Sequence, residues 1–312
     1  MKVLFIDTVH EILEQKLSAA GMECVSGYEW NRAQILAEVS SFDGIVIRSR
    51  TKIDDAFFEA ASNLKWIARS GSGLENIDLP TAGKHHVTVF NSPEGNAQAV
   101  GEHATGMLLS LLNNLNRGDN EVRKGIWRRE ENRGRELNSM SVGIIGYGHT
   151  GSAFAKCLSG FGCKILAYDK YLADFGNDLV LESTLEDILS TCDAISLHLP
   201  LTDETRAFVN GSFISMAIAT PILINTSRGK VVDTEAIVDG LKNGQLAGVC
   251  LDVHEYETAS FESLNLASLP APMQYLIASD RVILSPHVAG WTSESYTKLS
   301  DYLAKKILTQ FG

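Results

Sequence analysis

The chain has 312 residues, 45% of them apolar and 21% charged, which is enough for two cores at roughly 100–200 residues per domain. Its formal net charge of −11 excludes a general nucleic-acid or anionic-membrane binder, since both need a basic face. An anionic substrate stays open, because local arginines decide that. Cys24, Cys157, Cys163, Cys192 and Cys250 are odd in number, form no CxxC pair and sit in or beside apolar stretches, so they read as buried thiols in a reducing compartment. The opening MKVLFIDTVHEILEQ turns acidic too soon for a signal peptide, and no apolar run reaches membrane-spanning length. The expected location is the cytoplasm.

Short apolar runs alternate with helix-period segments from end to end, which predicts a parallel α/β protein. Strands are expected at Lys2–Ile6, Gly44–Ile47, Lys65–Ala68 and Val87–Phe90, with a helix over His10–Ala20 closed by Gly21. A long helix is expected from about Asn96 to past Asn113, with Val100, Ala104, Met107, Leu108, Leu111 and Leu112 on its inner face. Lys124–Asn138 is charged and aperiodic and reads as an exposed arm. A second series follows, with strands at Ser141–Ile145, Lys164–Tyr168, Ala194–Leu197, Ile222–Asn225, Gly248–Leu251 and Val282–Leu284, then a terminal helix over Ser293–Phe311. No repeat or low-complexity linker separates the two series, so the domains are expected to share crossing helices.

Ser141–Gly151 reads SVGIIGYGHTG and contains Gly146-x-Gly148-x-x-Gly151. Glycines recur in loops by chance, so context carries the reading: a strand before, a helix (Ser152–Leu158) after, and a second strand ending in Tyr168-Asp169. Gly146 permits the tight turn, Gly148 lets a pyrophosphate approach the backbone, and Gly151 allows close helix–strand packing. The helix N-terminus then favours the anion, with His149 bordering it. Asp169 at the strand end can accept both ribose hydroxyls and repel a 2′-phosphate, which predicts NAD over NADP.

Three later strand ends carry groups suited to hydride chemistry on a hydroxy acid. They are Thr226-Ser227-Arg228-Gly229, Asp252-Val253-His254-Glu255-Tyr256-Glu257 and Ser285-Pro286-His287-Val288-Ala289-Gly290. An Arg can bind the carboxylate bidentately, a His can move the hydroxyl proton, and an acid can orient the imidazole. Glu255 and Glu257 are two apart and point the same way in an extended segment, so spacing alone does not separate them. No His/Cys cluster has metal-ligand spacing, so no metal is expected.

NTSRGKVVD, LDVHEYE and SPHVAG resemble the three catalytic segments of the D-2-hydroxyacid dehydrogenase family. IRSRTKID, ARSGSGLENID, NSPEGNAQAVGEHATG, GIWRREENRGREL and HLPLTDET are similar to family segments in family order, so the resemblance covers nearly the whole chain. It implies two Rossmann-like or flavodoxin-like parallel-sheet lobes with a cleft between them. Residues 1–101 and 286–312 would form a discontinuous substrate domain, and 102–285 the NAD-binding domain. It also implies that Arg228 is the substrate arginine, Glu257 the acid partner and His287 the acid–base residue, ahead of Glu255 and His254. Thr150, Leu199, Pro200, Thr226, Ser227, Asp252 and Gly290 would join the glycine loop in holding NAD, with Asp252 near the nicotinamide carboxamide and His198 on the adenosine side.

Within the family the N-terminal segments are most similar to the D-3-phosphoglycerate dehydrogenases, which open serine synthesis. Arg48 and Arg69 end successive strands and suit a phosphate clamp, which is preferred over the alternative of two surface arginines paired with acids. Ser72 and Gly73, in the loop Ser70-Gly71-Ser72-Gly73, offer backbone N–H groups for a carboxylate. Hydroxypyruvate or glyoxylate reduction is the alternative reaction, and a dinucleotide-sensing binding protein the alternative class. Two departures stand out. The segment TASFESLNLASLPAPMQYLIAS after Glu257 lacks the usual proline and is expected to be a surface insertion. The chain also ends soon after its last helix, so feedback through an appended serine-binding module is not expected. The family is commonly dimeric, and Trp127–Leu137, an apolar anchor among arginines, is the expected contact.

Overall fold

The computed structural model describes residues 1–257 and 269–312. The chain divides into two compact units, Met1–Ala97 with Trp291–Gly312, and Gln98–Gly290. The sequence placed these crossings at 101/102 and 285/286; in the structure they fall at 97/98 and 290/291, so His287 shares a unit with Glu257.

In the first unit, β1 (Lys2–Phe5), α1 (Ile12–Ala19), β2 (Glu23–Ser26), α2 (Arg32–Glu38), β3 (Gly44–Ile47), α3 (Asp55–Ala60), β4 (Trp66–Arg69), α4 (Leu79–Lys84) and β5 (Thr88–Phe90) alternate. The strands form one parallel sheet in the order β2-β1-β3-β4-β5. Alternate residues of a strand face opposite sides, so β1 sends Val3 and Phe5 to one core and Leu4 with the following Ile6 to the other. The first core receives Leu13 and Leu17 of α1 and Leu303, Ala304 and Ile307 from the C-terminal helix. The second receives Ile35, Phe57, Phe58 and Ala82 from α2, α3 and α4.

The chain leaves this unit within α5 (Pro93–Leu112), and α6 (Leu115–Arg123) follows. The expected single helix breaks at Asn113–Asn114, where Asn114 turns left-handed with φ 52°. In the second unit come β6 (Ser141–Ile145), α7 (His149–Leu158), β7 (Lys164–Tyr168), β8 (Leu181–Glu182), α8 (Leu185–Thr191), β9 (Ala194–Leu197) and α9 (Gly211–Met216). They are followed by β10 (Ile222–Asn225), α10 (Thr234–Lys242), β11 (Gly248–Leu251), α11 (Ala271–Ala278) and β12 (Val282–Leu284), and α12 (Ser293–Phe311) then belongs to the first unit.

The second sheet runs β12-β11-β10-β9-β6-β7-β8, all parallel. The chain starts at the centre, runs out through β7 and β8, and resumes at β9 on the other side of β6. That reversal makes a topological switch point between β6 and β9, where ligands of open α/β sheets bind at the carboxyl ends. The glycine loop, Asp169 and the segments carrying Arg228, Glu257 and His287 each follow the carboxyl end of a strand of this unit.

The expected surface insertion is not one over its described residues. Its first residues, 258–268, lie outside the described residues. The remainder forms α11, whose Met273 and Leu276 pack into the core with Leu241 and Leu251. The turn residues Pro270 and Pro272 hid a helix whose apolar face is buried. Leu276→Ala should therefore lower unfolding stability by about 2–5 kcal/mol, as truncation in a packed core does. Ile277, 44% exposed next to it, should tolerate alanine within about 0.5 kcal/mol. Urea denaturation separates the two; equal small effects would return the segment to the surface.

Candidate active site

The glycine loop is built as its spacing requires. Gly146 has φ 90°, and a side chain there would meet the His198 carbonyl at 2.5 Å. One at Gly151 would meet the Gly146 carbonyl at 2.1 Å, whereas Gly148 faces open space. The helix starts at His149, three residues before the sequence reading, so the first-turn N–H groups of His149, Thr150 and Gly151 lack intrahelical acceptors. Asp169 accepts from the Tyr147 amide at 2.8 Å and from the Tyr171 and Leu172 amides at 2.9 and 3.0 Å. Three of its roughly four acceptor sites are thus used in holding the loop and the turn after β7. The Thr226 hydroxyl is buried with no partner among the described residues. An anion-ready helix start, open space at Gly148 and a buried hydroxyl awaiting a partner together fit a dinucleotide.

His198, expected on the adenosine side, has its place fixed by the fold. It is buried beyond β9, with Nε2 at 2.9 Å from Ser196 Oγ and Nδ1 at 3.2 Å from Thr150 Oγ1. It ties the first turn of α7 to the sheet, while Leu199 packs beside Gly146 and the Pro200 carbonyl accepts from Thr205 Oγ1. Sequence reading did not single out Tyr147 and Phe175, whose rings stack at 4.7 Å beside the loop.

Beyond β10, Asn225 folds the turn that presents Arg228. Its Oδ1 accepts from the Ser227 amide and hydroxyl at 3.0 and 2.7 Å, and its Nδ2 donates to the Arg228 carbonyl at 2.9 Å. The Arg228 guanidinium donates to the Ser227 carbonyl at 2.7 Å. Gly229 packs so tightly on the next loop that a side chain would lie 2.0 Å from the His254 carbonyl. The arginine loop and the acid loop therefore meet backbone to backbone.

The acid loop is a turn rather than an extended segment, closed by the Glu257 amide on the His254 carbonyl at 3.2 Å. That separates the two acids. Glu255 turns away and accepts from the Thr234 amide and hydroxyl at 3.2 and 2.8 Å, at the start of α10. Glu257 Oε2 lies 2.8 Å from His287 Nδ1, and its Oε1 accepts from the His254 amide. His254 is itself buried, with Nε2 at 3.3 Å from the Ser285 carbonyl, and burial pushes its imidazole below the usual range.

His287 holds a left-handed backbone, φ 56°, which is uncommon outside glycine. Asp252 holds that turn. Its Oδ1 accepts from Ser285 Oγ at 2.6 Å and the Val288 amide at 2.9 Å, and its Oδ2 from the Ala289 amide at 2.8 Å. Ser285 Oγ is also 2.9 Å from His103 Nε2 on α5. The hydrogen bonds described for the Asp252 carboxylate go to the 285–289 turn, just before Gly290, and His103 Nε2 lies 3.6 Å from its Oδ1. Its positioning task was invisible in the sequence, because the partners lie more than thirty residues away.

In the first unit, Arg48 follows β3 and lays its guanidinium on the Trp291 ring, 4.4 Å from the centroid. Its amide donates to Asp7 Oδ2 at 2.5 Å. Arg69 ends β4 and folds over Gly71, where an added side chain would meet its guanidinium at 2.0 Å. Ser72 Oγ donates to Asn96 Oδ1 at 2.7 Å, and Asn91 Nδ2 donates to the Ser72 carbonyl at 2.6 Å, leading into Gly73. The neighbouring Arg50 pairs with Asp7 at 3.0 Å.

Burial drives the His198 imidazole down to about 3, so it stays neutral in the fold while the unfolded chain takes up a proton below its ordinary value near 6.5. The unfolded state then binds more protons, and stability should fall as pH drops from about 6.5 toward 3. His254 adds in the same direction. Urea midpoints measured against pH should slope less steeply for His198→Asn than for the unsubstituted chain. Parallel slopes would count against a buried neutral His198.

Residues 105–289 match the family described as D-isomer specific 2-hydroxyacid dehydrogenase, NAD binding domain. The chain is 32% identical over 314 residues to a D-3-phosphoglycerate dehydrogenase of Archaeoglobus fulgidus, covering 99% of this chain and 57% of that protein. It therefore spans little more than half the length of that curated relative. It is also 32% identical over 289 residues to a hydroxypyruvate reductase of Thermotoga maritima, covering 92% of this chain and 91% of that one. Among solved structures, a D-2-hydroxyisocaproate dehydrogenase matches with a TM-score of 0.84 at 29% identity, covering 100% of this chain and 96% of that one. With an NAD-binding domain of that description and a relative matched along nearly its full length, this chain belongs to the D-2-hydroxyacid dehydrogenase family.

Proposed function

We propose that this chain is an NAD-dependent oxidoreductase that interconverts 3-phosphoglycerate and 3-phosphohydroxypyruvate, the entry to serine synthesis, in the cytoplasm. The observation that carries the chemistry is the His287–Glu257 pair at 2.8 Å, set at the carboxyl edge of the dinucleotide-type sheet. NAD, when bound, supplies the hydride acceptor or donor. Gly146, Gly148, His149, Thr150 and Gly151 would hold its pyrophosphate, Asp169 its ribose through the acceptor site left open, and Thr226, Ser227 and Gly290 its nicotinamide half. Arg228 binds the substrate carboxylate and polarises the C2 carbonyl. In reduction His287 gives a proton from Nε2 to the carbonyl oxygen; in oxidation it takes that proton back from the hydroxyl. Glu257 on Nδ1 fixes the ring orientation and stabilises the imidazolium. Asp252 serves here by positioning His287.

The phosphate reading rests on Arg48 and Arg69, with Ser72 and Gly73 as further substrate contacts. The Arg48 guanidinium over the Trp291 ring and the Arg69 guanidinium beside Gly71 support a pair of placed cations for a phosphate. The second reading, hydroxypyruvate reduction, is favoured by the full-length Thermotoga relative. NADH consumption with 3-phosphohydroxypyruvate, hydroxypyruvate, glyoxylate and pyruvate decides. Arg48→Ala and Arg69→Ala should each lower kcat/KM for 3-phosphohydroxypyruvate by about tenfold to a hundredfold, the loss of one charge-assisted contact, and spare hydroxypyruvate. Equal losses on both substrates would remove the phosphate assignment.

Glu257→Gln should lower kcat by about tenfold to a thousandfold, while Glu255→Gln should cost stability at the start of α10 and leave kcat within about twofold. A larger kcat effect at Glu255 would reverse the roles.

A homodimer is proposed through the arm after α6. Trp127 is 82% exposed, α6 buries no residue, and Leu115, Val122 and Ile126 are exposed beside it. Sedimentation at micromolar concentration should give a dimer and Trp127→Ala should shift it toward monomer. A monomer in both would sink the arm's role.

A further inference from the structure

Lys170 directly follows Asp169, the residue read above as facing the ribose. A cation at that place is what NADP-binding sheets use for the 2′-phosphate. Here it is already engaged. Lys170 Nζ pairs with Glu204 Oε1, and the Tyr171 hydroxyl donates to Glu204 Oε2. The Lys170 ammonium also lies over the Tyr171 ring, 5.6 Å from its centroid. Glu204 comes from the loop after β9, so the pair joins the loops on the two sides of β6. The backbone of Tyr171 is in turn held by Asp169, so the carboxylate and the cluster share one turn.

We propose that Glu204 is a second determinant of cofactor choice, acting by neutralising Lys170 and adding negative charge at the ribose end of the site. A 2′-phosphate brought there meets two carboxylates and a lysine whose charge is already paired. A ribose with a free 2′-hydroxyl carries no such charge and is unaffected. Glu204 is a positioning residue for Lys170, and the inference rests on the ribose placement at Asp169.

The test is direct binding of ADP-ribose and its 2′-phosphorylated analogue by calorimetry, so no turnover is needed. The residues are surface-exposed, so Glu204→Gln should fold normally. It should tighten the 2′-phosphorylated ligand by about fivefold, the scale of an exposed ion pair, and leave ADP-ribose within about twofold. Glu204→Asp should retain most of the discrimination. Adding Lys170→Ala to Glu204→Gln should abolish the gain, and high salt should shrink it. An unchanged ratio in Glu204→Gln, or a gain that survives Lys170→Ala, would overturn the role of Glu204. Failure of ADP-ribose to bind the unsubstituted chain would instead overturn the ribose placement beneath it.

Discussion

The proposed chemistry depends on one buried carboxyl group. Asp252 is 1% exposed, and a polar group so placed is tolerated only with its acceptors filled. They are filled by one hydroxyl and two amides of a single turn, Ser285, Val288 and Ala289. Between those donors sits His287 in a left-handed conformation that costs on the order of 1–2 kcal/mol for an ordinary residue. The anchoring bonds offset that cost and aim Nδ1 at Glu257. Glu257 is fixed from its other side by the His254 amide, so both halves of the pair are held before any substrate arrives.

Topology brings the remaining groups to the same edge. Because every strand of the second sheet is parallel, the residues after β6, β7, β9, β10, β11 and β12 all emerge at one side. Short backbone approaches then lock neighbouring loops together: Gly146 against His198, and Gly229 against His254. A methyl group at either position would push apart loops that carry different parts of the proposed site. Glycine is needed there for contact between loops as much as for its own dihedral angles.

Central strands were legible because they are buried on both faces and read as unbroken apolar runs, as in ILIN over Ile222–Asn225. The edge strands β2 and β8 were missed. ECVS and LE are exposed or half-exposed, so no apolar run marks them. The break before α6 was missed because Asn114 in a left-handed conformation is a weak signal in the sequence. Site residues adjacent to strand ends could be named from the sequence, but local spacing did not divide their labour; only the family resemblance put Glu257 ahead of Glu255. Glu255 and Glu257 differ only through the turn that swings one to Thr234 and the other to His287. Asp252, Ser285 and His103 form their network across well-separated segments, which no local pattern encodes. Asn225 was the exception that could have been found, since an Asn two residues before a Ser and three before an Arg is a plausible side-chain-to-backbone turn.

The central claim is that His287 moves the proton. Its most direct test is NADH consumption with a 2-keto acid by His287→Ala, with and without added imidazole. The account predicts that kcat falls by about 10²–10⁴-fold, that NADH affinity measured by fluorescence is little changed, and that free imidazole restores part of the lost turnover. A His287→Ala chain that turns over as fast as the unsubstituted one would contradict it.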